Sequence, residues 1–113
     1  MGSDDKDINI FLSHILESIG YIEHDTDGKS KQDFLNDRIT QDLVVRRLAV
    51  IGEAARNITN DFRKKHKQIP WRSITGMRDV VVHDYFSLDF GRIWDTVEND
   101  LPKVKEEIEK IIQ

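Results

Sequence analysis

The sequence of 113 residues contains no cysteine. This absence excludes a disulfide framework, a zinc site built on thiolates and catalysis by a cysteine nucleophile. The chain also lacks an apolar run of the roughly 18 residues that a membrane span needs. Charged residues interrupt the best candidates: Glu17, Arg46, Arg47 and Glu53. Its first residues offer neither the basic start nor the apolar stretch of a signal peptide. We therefore expect a cytoplasmic protein that makes no membrane contact.

Positive charge is in the minority: 17 lysines and arginines face 21 aspartates and glutamates, a formal net charge of −4. At first sight this balance argues against a nucleic-acid partner. It counts only against broad, non-specific phosphate binding by many lysines, however, and is compatible with a small cleft of locally gathered positive charge. The hydrophobic share of 38% is somewhat low for a lone globular domain, but it is not low enough to indicate a disordered chain. The length is typical of one domain, so we expect a single domain over residues 1–113.

Apolar residues recur at steps of three and four from Asp4 to about His24, which predicts a first amphipathic helix. Its core face comprises Ile8, Phe11, Leu12, Ile15, Ile19 and Ile22. A polar break then leads to Ser30 and Asp33, which are three residues apart. This spacing is a start signal for a short second helix that carries Phe34.

The segment from about Ile39 to Ile58 predicts a long helix with apolar residues on two faces. One stripe comprises Val44, Leu48, Ile51, Ala55 and Ile58. A second stripe comprises Leu43, Val50 and Ala54, with Arg47 in the same row. A helix that is apolar on two faces either lies at the centre of its bundle or also packs on another subunit.

Two further helices are predicted in the second half of the chain. Pro70 suits the first turn of a helix that runs to about His83, and Ser87 is the expected cap of the last helix. Pro102 falls inside the apolar pattern of that last helix and removes a backbone donor, so we expect a kink or a restart near residues 99–100. Together these segments predict an all-α protein, an antiparallel up-and-down bundle of four to five helices.

Four histidines are the only side chains that ordinarily titrate near neutral pH. We expect His14 and His24 to be surface or capping residues. His66 lies within a basic cluster, which we define as Arg63, Lys64, Lys65 and Lys67. The basic cluster is either a set of RNA phosphate contacts or a solvated run of charge, and the sequence leaves both interpretations open.

The fourth histidine, His83, closes a stretch that also holds Arg78, Asp79 and Tyr85. Residues four apart on an ideal helix lie about 40° apart, so Asp79 can touch His83 and hold its ring in one tautomer. On one straight helix the side chains of Arg78 and His83 point about 140° apart. They can act at one site more easily if the helix ends near His83 or if two copies of the chain meet across a two-fold axis. The structural alternative is that Arg78 and Asp79 form a surface pair, while His83 and Tyr85 form a C-terminal cap.

The spacing Arg78-x4-His83-x-Tyr85 at the end of a helix resembles the signature of the HEPN superfamily, and more narrowly that of the HepT toxins. Three further segments resemble HepT sequences: residues 50–55 upstream, Ile69-Pro70-Trp71 before the motif and Asp100-Leu101-Pro102 after it. The similarity extends from about Ile8 to Ile111. HepT toxins are small all-helical ribonucleases encoded beside a minimal nucleotidyltransferase.

The resemblance implies an endoribonuclease toxin that forms a homodimer and cuts RNA without a metal or any other cofactor. In that mechanism the ribose 2′-OH attacks the adjacent phosphate, His83 acts as general base or acid, and Arg78 stabilises charge on the phosphate. The two Arg-His motifs line a cleft at the dimer interface. Because one histidine cannot perform both proton transfers, the partner subunit's His83 or water performs the other.

Two further residues carry implications of the resemblance. Many HEPN motifs have an uncharged polar residue after the arginine, whereas this chain has Asp79, which can orient His83 but brings negative charge near an RNA phosphate. Tyr85 matches the tyrosine that the nucleotidyltransferase antitoxin modifies with AMP, and an added phosphodiester would block the RNA path. Otherwise Tyr85 is a buried packing residue. The competing interpretations are a non-catalytic helical module that binds a nucleotidyltransferase, and a plain helical scaffold.

Overall fold

The structure, a computed structural model, describes residues 3–76 and 88–112. These residues form helices joined by short turns: α1 (Ser3–Thr26), α2 (Lys31–Leu35), α3 (Arg38–Arg56), α4 (Asn60–Lys65), the described part of α5 (residues 71–76), α6 (Phe90–Asp95), a π-helical turn (Thr96–Asp100) and α7 (Leu101–Ile112). No strand occurs among the described residues, and the predicted all-α bundle is confirmed. None of the described helices is long and apolar enough to cross a lipid bilayer.

The core forms where α1 packs along α3. Five of the six apolar residues predicted for the core face of α1 are buried, and the sixth, Phe11, is half-buried beside them. The first predicted stripe of α3 is buried as well: Val44, Leu48, Ile51, Ala55 and Ile58. α7 closes this core against α1 with Leu101, Val104 and Ile108. Burial of each large apolar side chain contributes about 1.5–3 kcal/mol, so the core shared by α1, α3 and α7 stabilises the fold.

Polar side chains mark where α2 and α3 begin. Ser30 forms a capping box with Asp33: the Asp33 N–H donates to the Ser30 hydroxyl at 3.1 Å, and the Ser30 N–H donates to the Asp33 carboxylate at 2.9 Å. Asp37 caps α3 by accepting from the Thr40 N–H at 3.1 Å, and Lys29 donates to the same carboxylate at 3.1 Å. The predicted start of the second helix is confirmed, and these caps fix the corner between α1 and α3.

Phe34 fixes α2 against α6. Its side chain is fully buried, and its ring centroid lies 5.3 Å from that of Trp94 and 6.3 Å from that of Phe90. Ring pairs at these distances attract each other beyond the effect of area burial. On the other side, the Gln41 side-chain amide donates to the Phe34 carbonyl at 2.9 Å. α2 therefore ties α3 to α6.

The basic stretch between α3 and α5 contains a short helix, α4, which the sequence does not indicate. Thr59 caps it by accepting the Phe62 N–H at 3.3 Å, and the helix ends where His66 N–H donates to the Arg63 carbonyl at 3.2 Å. Threonine is a good helix cap. The segment is too short to show an apolar periodicity, however, so the sequence pattern does not predict this helix. α4 adds one short helix to the predicted bundle.

The last helix is capped by a residue other than the predicted one. Its N-cap is Asp89, whose carboxylate accepts from the Arg92 N–H at 3.1 Å. The predicted cap, Ser87, lies outside the described residues. Aspartate and serine cap helices about equally well, so two candidates two positions apart cannot be separated by residue type.

The hydrogen-bond pattern of the last helix changes just before Pro102. Thr96–Asp100 form a π-helical turn in which the Leu101 N–H donates to the Thr96 carbonyl, and α7 begins directly after it. A proline cannot donate to the carbonyl four residues earlier, and its ring crowds that carbonyl, which the wider turn accommodates. The helical pattern therefore changes close to the expected position, but as a π-helical turn within a run that continues without a break from α6 into α7. The apolar residues around it remain buried: Val97, Leu101, Val104 and Ile108.

Candidate functional site

The four residues of the predicted motif all fall within residues 77–87, outside the described residues: Arg78, Asp79, His83 and Tyr85. Their roles stay predictions. The structure describes the two segments that adjoin them, α5 before and α6 after. These segments show how the chain is held where residues 77–87 begin and end.

α5 is fixed by its first turn. Trp71 is buried, and its indole Nε1–H donates to the His66 carbonyl at 2.9 Å. Ile74 is fully buried, and its N–H donates to the Pro70 carbonyl at 3.1 Å, so Pro70 directly precedes the helix, one position before its predicted place in the first turn. The segment that leads to the motif is thus anchored both in the core and to the end of α4.

α6 is fixed on the other side of the motif. Ile93 and Trp94 are buried, and Phe90 packs its ring edge-on against Phe34. Lys31 Nζ lies 3.2 Å from an Asp95 carboxylate oxygen, an exposed ion pair of little energetic weight. Core packing therefore fixes the chain on both sides of residues 77–87, as a site built on rigid elements requires.

The basic cluster contains two kinds of side chain. Lys64, Lys65 and Lys67 are exposed. Arg63 instead reaches back to the end of α3, where its Nη2 donates to the Ala55 carbonyl at 2.7 Å. Its Nε is buried and has no hydrogen-bond partner among the residues that the structure describes. Carbonyls in the last turn of a helix carry partial negative charge, so this guanidinium also stabilises the C-terminal end of α3.

Arg63 lines an open groove of about 600 Å³ at the corner between α3 and α4. Thr75 of α5 lines the same groove, so three helices contribute to it. All lining residues except Ile58 are polar: Arg56, Asn57, Thr59, Asn60, Arg63 and Thr75. None of these lining residues carries a carboxylate.

The lining gives this groove the chemistry of an anion site. Arg56 and Arg63 bring two guanidinium groups, whose planar geometry matches phosphate oxygens in pairs. Asn57 is oriented by its own helix, because its Nδ2 donates to the Glu53 carbonyl at 2.9 Å. Arg56 is not among the predicted site residues. Arg56 precedes Arg63 by seven positions, and α3 ends between them, so only the fold brings the two side chains to one groove.

A separate surface lies on the outside of α1 and α3. We define the apolar face as Ile10, Tyr21, Ile39, Leu43 and Val50, whose exposed fractions run from 39% for Val50 to 74% for Ile39. The three α3 residues share one side of their helix, as do the two α1 residues. Leu43 and Val50 of the second predicted stripe therefore face outward. Ala54, the third member of that stripe, is 6% exposed and belongs to the core.

The other histidines make contacts typical of surface residues. His14 and His24 are exposed, as predicted, and His24 Nδ1 lies 3.4 Å from the Asp25 carboxylate. The His66 ring packs on Phe62 with the centroids 4.4 Å apart. Within residues 3–76 and 88–112, no group of three or more histidine, aspartate or glutamate side chains is placed to hold a metal ion.

Comparison with protein families finds one match that covers most of the chain. The family model described as "Ribonuclease HepT-like" matches residues 15–111, a range that includes the predicted motif. No solved structure matches the chain significantly.

Three relatives illustrate the similarity. A "Probable ribonuclease HepT" of Thermococcus cleftensis is 45% identical over 101 residues, which are 89% of this chain and 92% of the relative. A "Putative RNase" of Caldanaerobacter subterraneus subsp. tengcongensis is 36% identical over 103 residues, 91% of this chain and 92% of the relative. A "Gamma-glutamylcyclotransferase and putative RNase" of Methanocaldococcus jannaschii is 46% identical over 108 residues, 96% of this chain. The chain spans about half the length of that last relative, because the match covers 49% of it.

Proposed function

The chain belongs to the HepT-like ribonuclease family, and from this premise we propose that it is a cytoplasmic endoribonuclease, the toxin of a toxin–antitoxin pair. The observation that carries the proposal is the family match over residues 15–111, which spans the motif from Arg78 to Tyr85. Relatives that are 36% to 46% identical to this chain bear ribonuclease names.

The proposed reaction needs no metal ion or other cofactor. The ribose 2′-OH attacks the adjacent phosphate, the bond to the 5′ oxygen of the next nucleotide breaks, and a 2′,3′-cyclic phosphate is left. His83 removes or supplies a proton in this step, and a histidine near its ordinary pKa suits that role at neutral pH. Arg78 stabilises the charge that develops on the phosphate oxygens. Asp79 orients the imidazole ring.

The apolar face supports the proposed homodimer. Exposed apolar residues on one side of α3 and one side of α1 offer a candidate interface, and symmetric dimers pack such a face against its own copy. In the proposed dimer the motif residues Arg78 and His83 of both copies line one cleft. His83 of the partner subunit or water then performs the second proton transfer.

Regulation in this proposal is by a minimal nucleotidyltransferase antitoxin that adds AMP to Tyr85. The added phosphodiester places an anion beside Arg78 and His83, where the RNA phosphate would otherwise bind. Binding of RNA outside the motif falls to the basic cluster, Arg63, Lys64, Lys65 and Lys67, as phosphate contacts.

A second candidate function is a non-catalytic module that binds a nucleotidyltransferase. The observation that favours it is Asp79, a carboxylate at the position after the motif arginine, where many related motifs have an uncharged residue. A negative charge at that position would repel an RNA phosphate. This alternative keeps the apolar face and the acidic surface but needs no proton transfer by His83.

The test is RNA cleavage by the purified protein in EDTA, with separate single-stranded and transfer RNA substrates. We expect His83→Ala and Arg78→Ala to abolish cleavage, and His14→Ala, which alters an exposed histidine on α1, to leave it unchanged. Cleavage by His83→Ala at the wild-type rate would overturn the mechanism. Absence of cleavage by the wild type together with tight nucleotidyltransferase binding would favour the non-catalytic module.

Antitoxin regulation has its own test. Co-expression with a minimal nucleotidyltransferase encoded beside this chain should add the mass of AMP, and the modification should disappear in Tyr85→Phe. Tyr21→Phe is the matched control, because Tyr21 is the other tyrosine of the chain and is 45% exposed. Modification of Tyr85→Phe at the wild-type level would overturn the assignment of Tyr85.

A further inference from the structure

We propose that the groove at the corner of α3 and α4 is a subsite for the RNA backbone, in which Arg56 and Arg63 hold a phosphate next to the cleavage motif. This proposal rests on the ribonuclease function proposed above. It adds Arg56, which lies outside the basic cluster, and it separates Arg63 from the exposed lysines of that cluster.

The charged residues that line the groove are both basic, whereas acidic residues outnumber basic ones in the whole chain. The chain carries 21 acidic against 17 basic residues, yet the lining has two arginines and no carboxylate. A guanidinium binds phosphate oxygens through parallel N–H groups, and it is more weakly hydrated than a lysine ammonium. A groove of this composition suits an anionic ligand, although the chain as a whole is acidic.

Arg63 is prepared for this role by its contact with α3. Its Nη2 donates to the Ala55 carbonyl at 2.7 Å, which holds the side chain at the groove. A guanidinium carries five N–H donors, so this bond leaves others for a ligand. Because the side chain is already ordered, phosphate binding does not need to order it, and the entropic cost of the contact is small.

The rest of the lining fits a sugar-phosphate backbone better than a base. Thr59, Asn60 and Thr75 offer hydroxyl and amide groups, and Ile58 is the one apolar lining residue. An aromatic side chain on which a base could stack is not part of this lining. Contacts of this kind position a strand without reading its sequence. The groove should therefore bind RNA with little base preference.

The groove also lies close to the motif along the chain. Thr75 lines it and precedes Arg78 by three residues. Thr75 stands next to the end of the described part of α5, where the segment that carries the motif begins. A strand whose reacting phosphate is bound by Arg78 can place a neighbouring phosphate in the groove.

The first test measures RNA binding without cleavage, in a His83→Ala background, by fluorescence anisotropy with a labelled single-stranded RNA over a range of salt concentrations. Arg56→Gln should weaken binding several-fold and reduce the slope of log affinity against log salt by about 0.7, the contribution of one phosphate contact in a single strand. Arg38→Gln is the matched control, since Arg38 is exposed on the same helix, eighteen residues or about 27 Å away. Equal affinity and slope in the two variants would overturn the proposal, as would an absence of RNA binding by the parent.

A second variant separates binding from folding, because Arg63 itself also stabilises α3. Asn60→Asp places a carboxylate in the groove at the first residue of α4, where an acidic side chain favours the helix. We expect its melting temperature to match or exceed that of the wild type while RNA binding weakens. Unchanged RNA affinity in Asn60→Asp would contradict the subsite.

A third measurement asks whether the groove binds free phosphate only or also RNA. It follows the NMR signals of the arginine side-chain Nε–H groups during a titration with inorganic phosphate. A site for free phosphate only would shift the Arg56 signal while Arg56→Gln leaves RNA affinity unchanged, and this would overturn the proposal.

Cleavage assays then separate the two proposals. Wild-type KM and kcat in Arg56→Gln would refute the subsite but not the nuclease, whereas groove-dependent RNA binding without cleavage would refute the nuclease but not the subsite.

Discussion

The guanidinium carbon of Arg47 lies 4.0 Å from the centroid of the Tyr21 ring and thereby joins α3 to α1 beside the apolar face. A cation over an aromatic ring contributes about 0.5–1 kcal/mol at an exposed position. The contact orders a ring that is 45% exposed and leaves Leu43 and Val50 uncovered. An ordered surface with aromatic, arginine and aliphatic side chains has the composition of a protein interface.

We predict that Leu43→Glu converts a dimer to a monomer, because the new carboxylate would be buried in the interface without a partner. In size-exclusion chromatography with light scattering, the wild type should have twice the 13.2 kDa mass of one chain and the variant the mass of one chain. Leu35→Glu is the matched control, since Leu35 is 39% exposed on α2 and is not part of the apolar face. This control should remain dimeric.

Loss of the dimer should also reduce RNA cleavage, because in the proposed dimer Arg78 and His83 of both copies line one cleft. We expect Leu43→Glu to lose activity at protein concentrations where Leu35→Glu retains it, although the motif is intact in both. Full cleavage by a monomeric Leu43→Glu, or a wild type that stays monomeric at every concentration, would contradict the dimer cleft.

The packing of α2 on α6 depends on one side chain, so we predict that Phe34→Ala lowers the free energy of unfolding by about 3–5 kcal/mol. Phe34 is fully buried between Phe90 and Trp94, and the substitution leaves a cavity there. Leu35→Ala, at the exposed neighbouring position, should cost less than about 1 kcal/mol. Urea unfolding followed by circular dichroism measures both values. Equal losses in the two variants would show that α2 does not hold α6.

Local patterns in the sequence were sufficient to predict the first helices. The apolar periodicity of α1 and the Ser30–Asp33 capping box each depend on residues within one or two turns, so the rest of the fold does not alter them. The cap of the last helix was predicted at Ser87, and this prediction was wrong. Ser87 and Asp89 are local signals of equal strength, and only the structure identifies Asp89 as the cap.

The groove and the apolar face depend on tertiary contacts, which the spacing of residues does not reveal. Arg56, Arg63 and Thr75 come to one groove because α4 turns back toward the end of α3, where Arg63 bonds the Ala55 carbonyl. Similarly, the second stripe of α3 predicted either a central helix or an interface. Its outward residues support the interface because α1 covers only part of α3.

Acid should unfold the protein partly through the cap of α3. The hydroxyl and N–H of Thr40 donate to the Asp37 carboxylate, and with Lys29 they lower its pKa to about 2. A carboxyl whose pKa is lower in the folded state stabilises the fold fully above its ordinary pKa of 3.8. This contribution is lost as the pH falls from about 4 toward about 2. Over that range the unfolded chain binds a proton at this carboxyl, whereas the folded protein can bind it only by giving up the hydrogen bonds to the ionised cap.

We therefore predict that Asp37→Asn, which keeps a capping side chain but cannot titrate, loses less of its stability than the wild type between pH 4 and pH 2. At pH 7 the variant should be slightly less stable, because the bond from Lys29 at 3.1 Å loses its charged acceptor. The control is Asp27→Asn, an exposed carboxylate in the turn after α1, whose acid unfolding should follow that of the wild type. Urea midpoints measured at each pH compare the three proteins. Parallel curves for Asp37→Asn and the wild type would mean that protonation of other carboxylates, and not of this cap, governs acid unfolding.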